Sequence, residues 1–260
     1  MASNYLTATP RVKIKVARVL TRPTMGHIVS VATRNRIRNH GLLFDVSDPE
    51  FTPQVRAEMF WRTYESAEIR MIRRHLQDAR TVVELGSSLG ITTAHIASVL
   101  GTGGRLVCLE ANPHLVDGLR RRAIRYRHDI ALEVENAAVT ERTGPVPFQL
   151  AASAQCSRVA DNDNGLSGGE ITVPSTTLRE ILARHRIDDF DLVSDIEGGE
   201  ASYLLGDPGS LEGCRRAVIE LHETSFGGKV VAPTDLIDAA RMAGLRVVER
   251  HGPVVALVRG

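Results

Sequence analysis

Four places in this sequence combine residue types that can do chemistry with the end of a short apolar run, where side chains leave a sheet. The first is Glu84-Leu85-Gly86-Ser87-Ser88-Leu89-Gly90, a strand-to-helix turn in which Gly86 lets backbone approach a ligand. The N–H groups of the following helix suit an anion or a carboxylate. The turn has neither the GxGxxG of a dinucleotide site nor the lysine of a phosphate-cradling loop. One helix later, Leu109-Glu110-Ala111-Asn112-Pro113 sets an acid at a strand end, from which a carboxylate accepts hydrogen bonds from both hydroxyls of a ribose. Glu135-Asn136-Ala137-Ala138 follows. There Asn136 and the adjacent backbone either meet an adenine edge or, for Asn136, serve a turn.

The fourth place is a pair, Asp195-Ile196-Glu197-Gly198-Gly199-Glu200 and Glu220-Leu221-His222-Glu223. His222 is a candidate general base, because imidazole titrates near neutrality and a carboxylate can orient it; the alternative is a structural histidine at a strand end. Asp195 and Glu220 offer oxygen ligands to Mg²⁺, or act as plain hydrogen-bond acceptors. A helix N-terminus accounts for Glu197 and Glu200. Asp161–Gly165 (DNDNG) imitates a calcium loop, but its glycine falls one position early and the twelfth position is Thr172 rather than Glu, so that reading is rejected.

These residues need elements to hold them. From residue 64 the sequence alternates: helix at Tyr64–Leu76, strand at Thr81–Leu85, helix at Ile91–Leu100, strand at Arg105–Leu109, helix at His114–Arg127 capped by Asn112 with Pro113 at its first position, and strand at Ala131–Val134. A polar stretch at Ala151–Glu170 is long for a connector and reads as a lid. Thr177 and Glu180 have capping-box spacing ahead of a helix through Leu182. Strands at Asp191–Ser194, Ala217–Leu221, Arg246–Glu249 and Val254–Val258 follow, with helices starting near Glu200 and Thr234. Such alternation predicts a mostly parallel sheet covered on both faces.

The 260 residues, 43% apolar and 24% charged, contain no apolar run near the ~18 residues of a membrane span, which predicts a soluble globular chain able to bury a core unaided. Cys108, Cys156 and Cys214 are odd in number and lack CxxC spacing, so neither a disulfide framework nor a zinc knuckle is expected, and a reducing cytoplasm is the simplest home. Net charge is +1, which excludes a uniformly basic nucleic-acid binder. The charge is nevertheless polarised: Arg11, Lys13, Lys15, Arg18, Arg22, Arg34, Arg36 and Arg38 give residues 1–40 a charge of +8 with no acid, leaving 24 basic against 31 acidic residues beyond. This arm lacks a secretory apolar region, and Val12, Ile14 and Val16 alternate like a strand rather than a transit peptide. It reads as a solvated face, a surface for an anionic partner such as a phosphosugar or lipid headgroup, or a lid.

The order ELGSSLG, LEANP, ENAAV and LVSDIEGGE resembles the FkbM-type family of class I S-adenosylmethionine-dependent methyltransferases over roughly residues 60–260. Glu84 stands where that family usually has Asp, Ser87-Ser88 where it has Ala-Asn, and Val193 where it has Lys. The resemblance implies a Rossmann-like α/β domain at 61–260, with a seven-stranded, mostly parallel sheet and helices on both faces, behind an N-terminal extension at 1–60. It implies S-adenosylmethionine as cofactor, held by Glu84, Gly86, Ser87, Ser88, Glu110, Ala111, Asn136, Ala137 and the loop at Asp195. It further implies O-methylation of sugars or other natural products. In the sheet order it implies, Asp195, Glu197, Glu220 and His222 converge beside the methyl group. A sugar hydroxyl is a poor nucleophile until its proton is removed, so the catalytic set expected is His222 with Asp195 and Glu220, as a base with its carboxylates or as Mg²⁺ ligands.

Two other classes compete. A nucleic-acid N-methyltransferase would use the basic arm, but DIEG occupies the slot of an Asn/Asp-Pro-Pro-aromatic motif, and aromatics are only 4% of the chain, too few for base stacking. A non-catalytic module would reuse the fold to dock a partner or a membrane surface. The expected partner is a small-molecule or glycan hydroxyl acceptor, anionic if the arm recognises it, with no sequence-specific nucleic acid. Peripheral membrane contact and a homodimer stay open.

Overall fold

The computed structural model describes residues 20–125, 128–150, 158–159 and 169–260, so Val12, Ile14, Val16, the first four arm cations and nearly all of the 151–170 stretch lie outside the described residues. Contacts divide the chain into two compact units, one ending at Ser66 and one spanning Ala67–Gly260. Among the described residues no helix is long and apolar enough to cross a membrane.

The first unit contains α1 (Pro23–Thr33), the antiparallel hairpin β1 (Arg36–Asn39) and β2 (Leu42–Asp45), and α2 (Pro53–Trp61). Alternation along β1 buries Ile37 and Asn39 and exposes Arg36 and Arg38. Asn39 is buried because its Nδ2 donates to Met59 O at 2.9 Å. Both helices end on an arginine in the left-handed region, Arg34 and Arg62, each returning its N–H to the last turn.

The second unit begins within α3 (Ser66–His75), at Ala67, and continues with β3 (Ala79–Leu85), α4 (Ile91–Val99), β4 (Leu100–Glu110), α5 (Pro113–Ile124) and β5 (Ala131–Asn136). After β5 come β6 (Ala138–Val139), β7 (Gly144–Gln149), β8 (Arg158–Val159) and β9 (Glu170–Thr176), which form a second, four-stranded sheet in the order β6-β9-β7-β8. The chain continues through α6 (Leu178–His185), β10 (Phe190–Ser194), β11 (Cys214–Glu220), a hairpin of β12 (Thr224–Phe226) and β13 (Lys229–Val231), α7 (Pro233–Met242), β14 (Leu245–His251) and β15 (Val254–Arg259).

The main sheet has seven strands in the order β14-β15-β11-β10-β3-β4-β5, with β15 antiparallel to both neighbours and the remaining pairings parallel. Its central strands are buried on both faces, which is why they read as unbroken apolar runs. Val83, Leu85, Leu109, Leu192 and Ile219 pack on one side with α6 and α7, and Val82, Leu106, Cys108, Val193 and Val218 on the other with α3, α4 and α5. Asp191 sits inside β10 at 0% exposure because Arg216 grips it with two bonds of 2.9 and 2.6 Å.

The caps form as their residue types require. Asn112 Oδ1 accepts from His114 N at 3.1 Å, and Thr177 Oγ1 from Glu180 N at 3.1 Å. One expectation is corrected: the helix predicted near Glu200 is a π-helical turn at Ser202–Gly206 followed by a 3₁₀ turn at Pro208–Leu211. Gly206 and Pro208 leave no room to propagate an α-helix, and the wider turn keeps Tyr203 buried.

Candidate functional site

The glycine turn after β3 is fixed from three directions. Gly86 has φ +85°, and a Cβ there would lie 1.9 Å from Asp195 O, so the β3 and β10 loops touch through a bare backbone. Gly86 N and Ser87 N both donate to Leu109 O at 3.0 Å, and Asp195 N donates to Leu85 O at 3.0 Å. Glu84 lies beneath the turn, fully enclosed, with Oε2 accepting from Ser87 Oγ (2.9 Å), Thr93 Oγ1 (2.7 Å) and Cys108 Sγ (3.1 Å). Burial raises its pKa against those three donors. Its geometry is that of a fastener for the turn, joining it to α4 and β4.

Glu110 closes β4. Its Oε2 accepts from Ser88 N at 2.6 Å and its Oε1 from Asn112 N at 2.7 Å, which leaves each oxygen a further acceptor site. Ser88 itself is held at φ +45°, and its buried Oγ has no protein partner. Burial lifts Glu110 to about 7 against its two backbone donors, with the Glu84 charge adding to the rise. Asn136 Nδ2 donates to Glu110 O (2.8 Å) and Ala111 O (2.9 Å), and Ala137 N donates to Glu110 O (3.2 Å). Both donors therefore tie β5 to the end of β4, the turn role that sequence held open for Asn136.

This donor set fits S-adenosylmethionine: a carboxylate with spare acceptor sites for two ribose hydroxyls, an orphaned buried serine hydroxyl, and a glycine turn with no room for a side chain. Hydroxyl donors favour the ionised form of Glu110, so affinity for the cofactor is expected to rise between pH 6 and 8 as Glu110 gives up its proton. Glu110→Ala is expected to weaken binding about ten- to a hundredfold and to flatten that pH dependence, both read by calorimetric titration in two buffers of different ionisation enthalpy.

The ends of β10 and β11 bring Asp195, Glu197, Glu200, Glu220 and His222 together. His222 Nε2 lies 3.5 Å from Glu197 Oε2, 3.8 Å from Glu220 Oε1 and 3.9 Å from Asp195 Oδ1, and its Nδ1 lies 3.4 Å from Glu200 Oε1. These are ion-pair separations rather than tight hydrogen bonds. Glu200, at 0% exposure, also accepts from Ile196 N (3.0 Å) and Gly198 N (2.9 Å), and so holds the DIEGG turn as well as facing the imidazole. Burial alone would lower the histidine's pKa, but Glu200, then Glu197 and Glu220, outweigh it and hold it at about 8. Glu220 is raised by burial, with His222 opposing and Glu200 adding.

The geometry does not show the Mg²⁺ pairing of Asp195 with Glu220. Asp195, Glu197 and His222 have ligand atoms within 4.8 Å of one another, and Glu220 is outside that group. An imidazole is a poor partner for a cation that demands oxygen ligands.

Beside the cluster is a cleft of about 430 Å³, lined by the end of β6 through Glu141, by the 196–202 turn and by the β12–β13 hairpin. Thr140, Glu141, Glu223, Thr224 and Phe226 in its walls were not singled out from sequence; the Gly227-Gly228 turn between Thr224-Ser225-Phe226 and Lys229-Val230-Val231 is the signal that would have found the hairpin.

Sheet order, glycine turn and acid at the neighbouring strand end together define a class I S-adenosylmethionine-dependent methyltransferase. The model of the FkbM methyltransferase domain matches residues 85–247, and the chain belongs to that family. No curated protein matches the chain. Among solved structures it is similar to an O-methyltransferase from Bacillus cereus in complex with SAH (14% identity, 96% of this chain and 97% of that one, TM-score 0.41). It is also similar to a ribosomal protein L11 methylase from Lactobacillus delbrueckii subsp. bulgaricus (10%, 77% and 78%, TM-score 0.43). A third is Aeropyrum pernix fibrillarin with natively bound S-adenosyl-L-methionine (14%, 70% and 66%, TM-score 0.41).

Proposed function

We propose that the protein methylates a hydroxyl group of a sugar or a sugar-bearing small molecule, with His222 as the base that accepts the hydroxyl proton. The observation that carries this is the imidazole set among carboxylates, the buried Glu200 at Nδ1 and Glu197, Glu220 and Asp195 at Nε2. When bound, S-adenosylmethionine supplies an electrophilic methyl group, so the protein must provide alignment and a proton acceptor. Glu200 favours a proton on Nδ1, and Nε2, which faces Glu197, Glu220 and Asp195, is then the nitrogen that takes the hydroxyl proton in the neutral ring. Asp195, Glu197 and Glu220 then stabilise the imidazolium that results. A carboxylate-rich turn and a cleft with one aromatic residue suit this reaction better than an extruded base, which needs stacking partners.

The testing experiment is calorimetric titration with S-adenosylmethionine and its demethylated product, followed by transfer of labelled methyl to a panel of glycosides with and without EDTA. Binding without transfer to any hydroxyl acceptor would overturn the proposal and favour the non-catalytic module. A base must be neutral, and His222 titrates at about 8. Accordingly kcat/KM is expected to climb about tenfold per unit up to that pH and then level off. Stability runs the other way. A histidine raised from 6.5 to about 8 contributes fully below 6.5, and the contribution is lost as pH rises through 8. A Tm series from pH 6 to 9 should fall across the window in which activity climbs.

A further inference from the structure

Large apolar side chains left exposed are unevenly spread along the chain. Five of the eight among the described residues, Ile28, Val31, Leu43, Phe60 and Trp61, belong to the first unit, which ends at Ser66. Singly exposed apolar residues are ordinary, but four of these five gather toward one end of a helix pair. Gly26 on α1 packs against Pro53 at the start of α2, and about one turn further along both helices Arg56 Nη1 donates to Ser30 Oγ at 3.2 Å. The two helices therefore run in the same direction and finish together. Toward that end α1 presents Ile28 and Val31, three residues apart on its outward side at 58% and 82% exposure. The last turn of α2 presents Phe60 and Trp61, set edge to face at 5.1 Å.

The same end is cationic. Each helix closes on an arginine, Arg34 and Arg62, and Arg36 follows two residues later than Arg34 on the exposed side of β1. Among the described residues the guanidinium groups of Arg34, Arg36 and Arg62 make no hydrogen bond or ion pair. Asp45 stands opposite Arg36 in the hairpin but accepts from Ser47 N and Ser47 Oγ. Residues 1–40 contain no acid, so the chain leading into α1 adds only positive charge. Unpaired guanidinium groups beside exposed aliphatic and indole groups match anionic headgroups lying over hydrocarbon. Arginine lays its stem on apolar surface with its head among phosphates, and tryptophan settles at the same depth. A single-stranded nucleic acid would use the arginines and the aromatic pair but gain nothing from Ile28 and Val31. We propose that this end of the first unit docks on a membrane surface containing anionic lipids. Val31, Phe60 and Trp61 enter the headgroup layer, and Arg34, Arg36 and Arg62 pair with its phosphates.

Trp61 is the one tryptophan among the 260 residues, so the contact carries its own reporter. The full chain is sedimented with vesicles of phosphatidylcholine, alone or mixed with phosphatidylserine, while tryptophan emission is followed. Binding to the mixed vesicles only, weakened by salt and accompanied by a blue shift, is expected. Arg34→Gln, Arg36→Gln and Arg62→Gln together should lower vesicle affinity about a hundredfold, roughly fivefold for each. Val31→Ser should lower it several-fold by removing apolar contact alone. All four positions are exposed, so Tm and affinity for S-adenosylmethionine should stay at parental values. No binding to the mixed vesicles, equal binding to both kinds, or full binding by the triple variant overturns the proposal. Binding that leaves the emission unmoved also overturns it, because the basic segment before α1 would then be acting without the helix ends. A blue shift that follows protein concentration without vesicles overturns it in favour of a second copy of the chain, and one produced by single-stranded nucleic acid but not by vesicles in favour of that ligand.

Discussion

If His222 is the base, His222→Ala is expected to slow methyl transfer by about 10²–10⁴-fold and to leave affinity for S-adenosylmethionine near that of the parent protein. The separation follows from geometry: Glu110, which would take the cofactor's ribose, accepts from Ser88 N and Asn112 N, whereas His222 contacts the acids of the β10 and β11 ends. Removing the imidazole does not free Glu200, which retains its bonds from Ile196 N and Gly198 N, so the turn keeps its shape. Single-turnover kinetics with prebound cofactor measure the loss directly. A second variant, Glu200→Gln, is similar in size but gives up one of the two N–H bonds, since its amide nitrogen cannot accept, and removes one charge from the imidazole's surroundings, so the midpoint of the pH–rate profile should move down from about 8. Equal loss of cofactor binding and transfer in His222→Ala would mean that the histidine is structural.

Gly86→Ala should be as damaging by a different route. The new methyl would meet Asp195 O at 1.9 Å, a backbone atom that cannot swing aside, and would do so at φ +85°, where a side chain is already strained. Relief requires the β3 and β10 loops to part. That movement stretches the bonds of Gly86 N and Ser87 N to Leu109 O and draws Ser88 N away from Glu110. Overpacking of this kind costs roughly 1–3 kcal/mol, so a fall in Tm of several degrees is expected together with loss of cofactor binding of about a hundredfold or more. Unchanged Tm and affinity would show that the two loops are not held as described.

The sheet and the cofactor turn were legible in the sequence because their signals are local. Buried strands such as Thr81–Leu85 read as apolar runs, and Asn112-Pro113 marks a helix start by its own chemistry. The second sheet was not legible, for a reason visible in β7 and β9. Pro145, Pro147 and Pro174 break the strand pattern, yet β7 tolerates its prolines because, among the described residues, β8 pairs with Phe148 and Gln149 alone. The His222 cluster was half legible. The acids could be named, but their arrangement depends on the positive-φ turn at Glu197 and Gly198 and on a carboxylate, Glu200, reaching back to two N–H groups. Glu84 shows the opposite limit, since its motif position does not distinguish a ligand-facing acid from one that fastens the turn.

The walls of the cleft proposed to take the acceptor come from the 139–141 segment, the turn at 196–202 and the β12–β13 hairpin, and none of the three is a strand of the seven-stranded sheet. Insertions or charge changes in the hairpin or at 139–141 would re-shape what the cleft admits without disturbing the bonds that hold Glu110 or the Gly86 turn. If the cleft takes the acceptor, acceptor choice is free to drift while the cofactor half stays put, and those two wall segments are the place to begin when a new acceptor is to be selected in the laboratory.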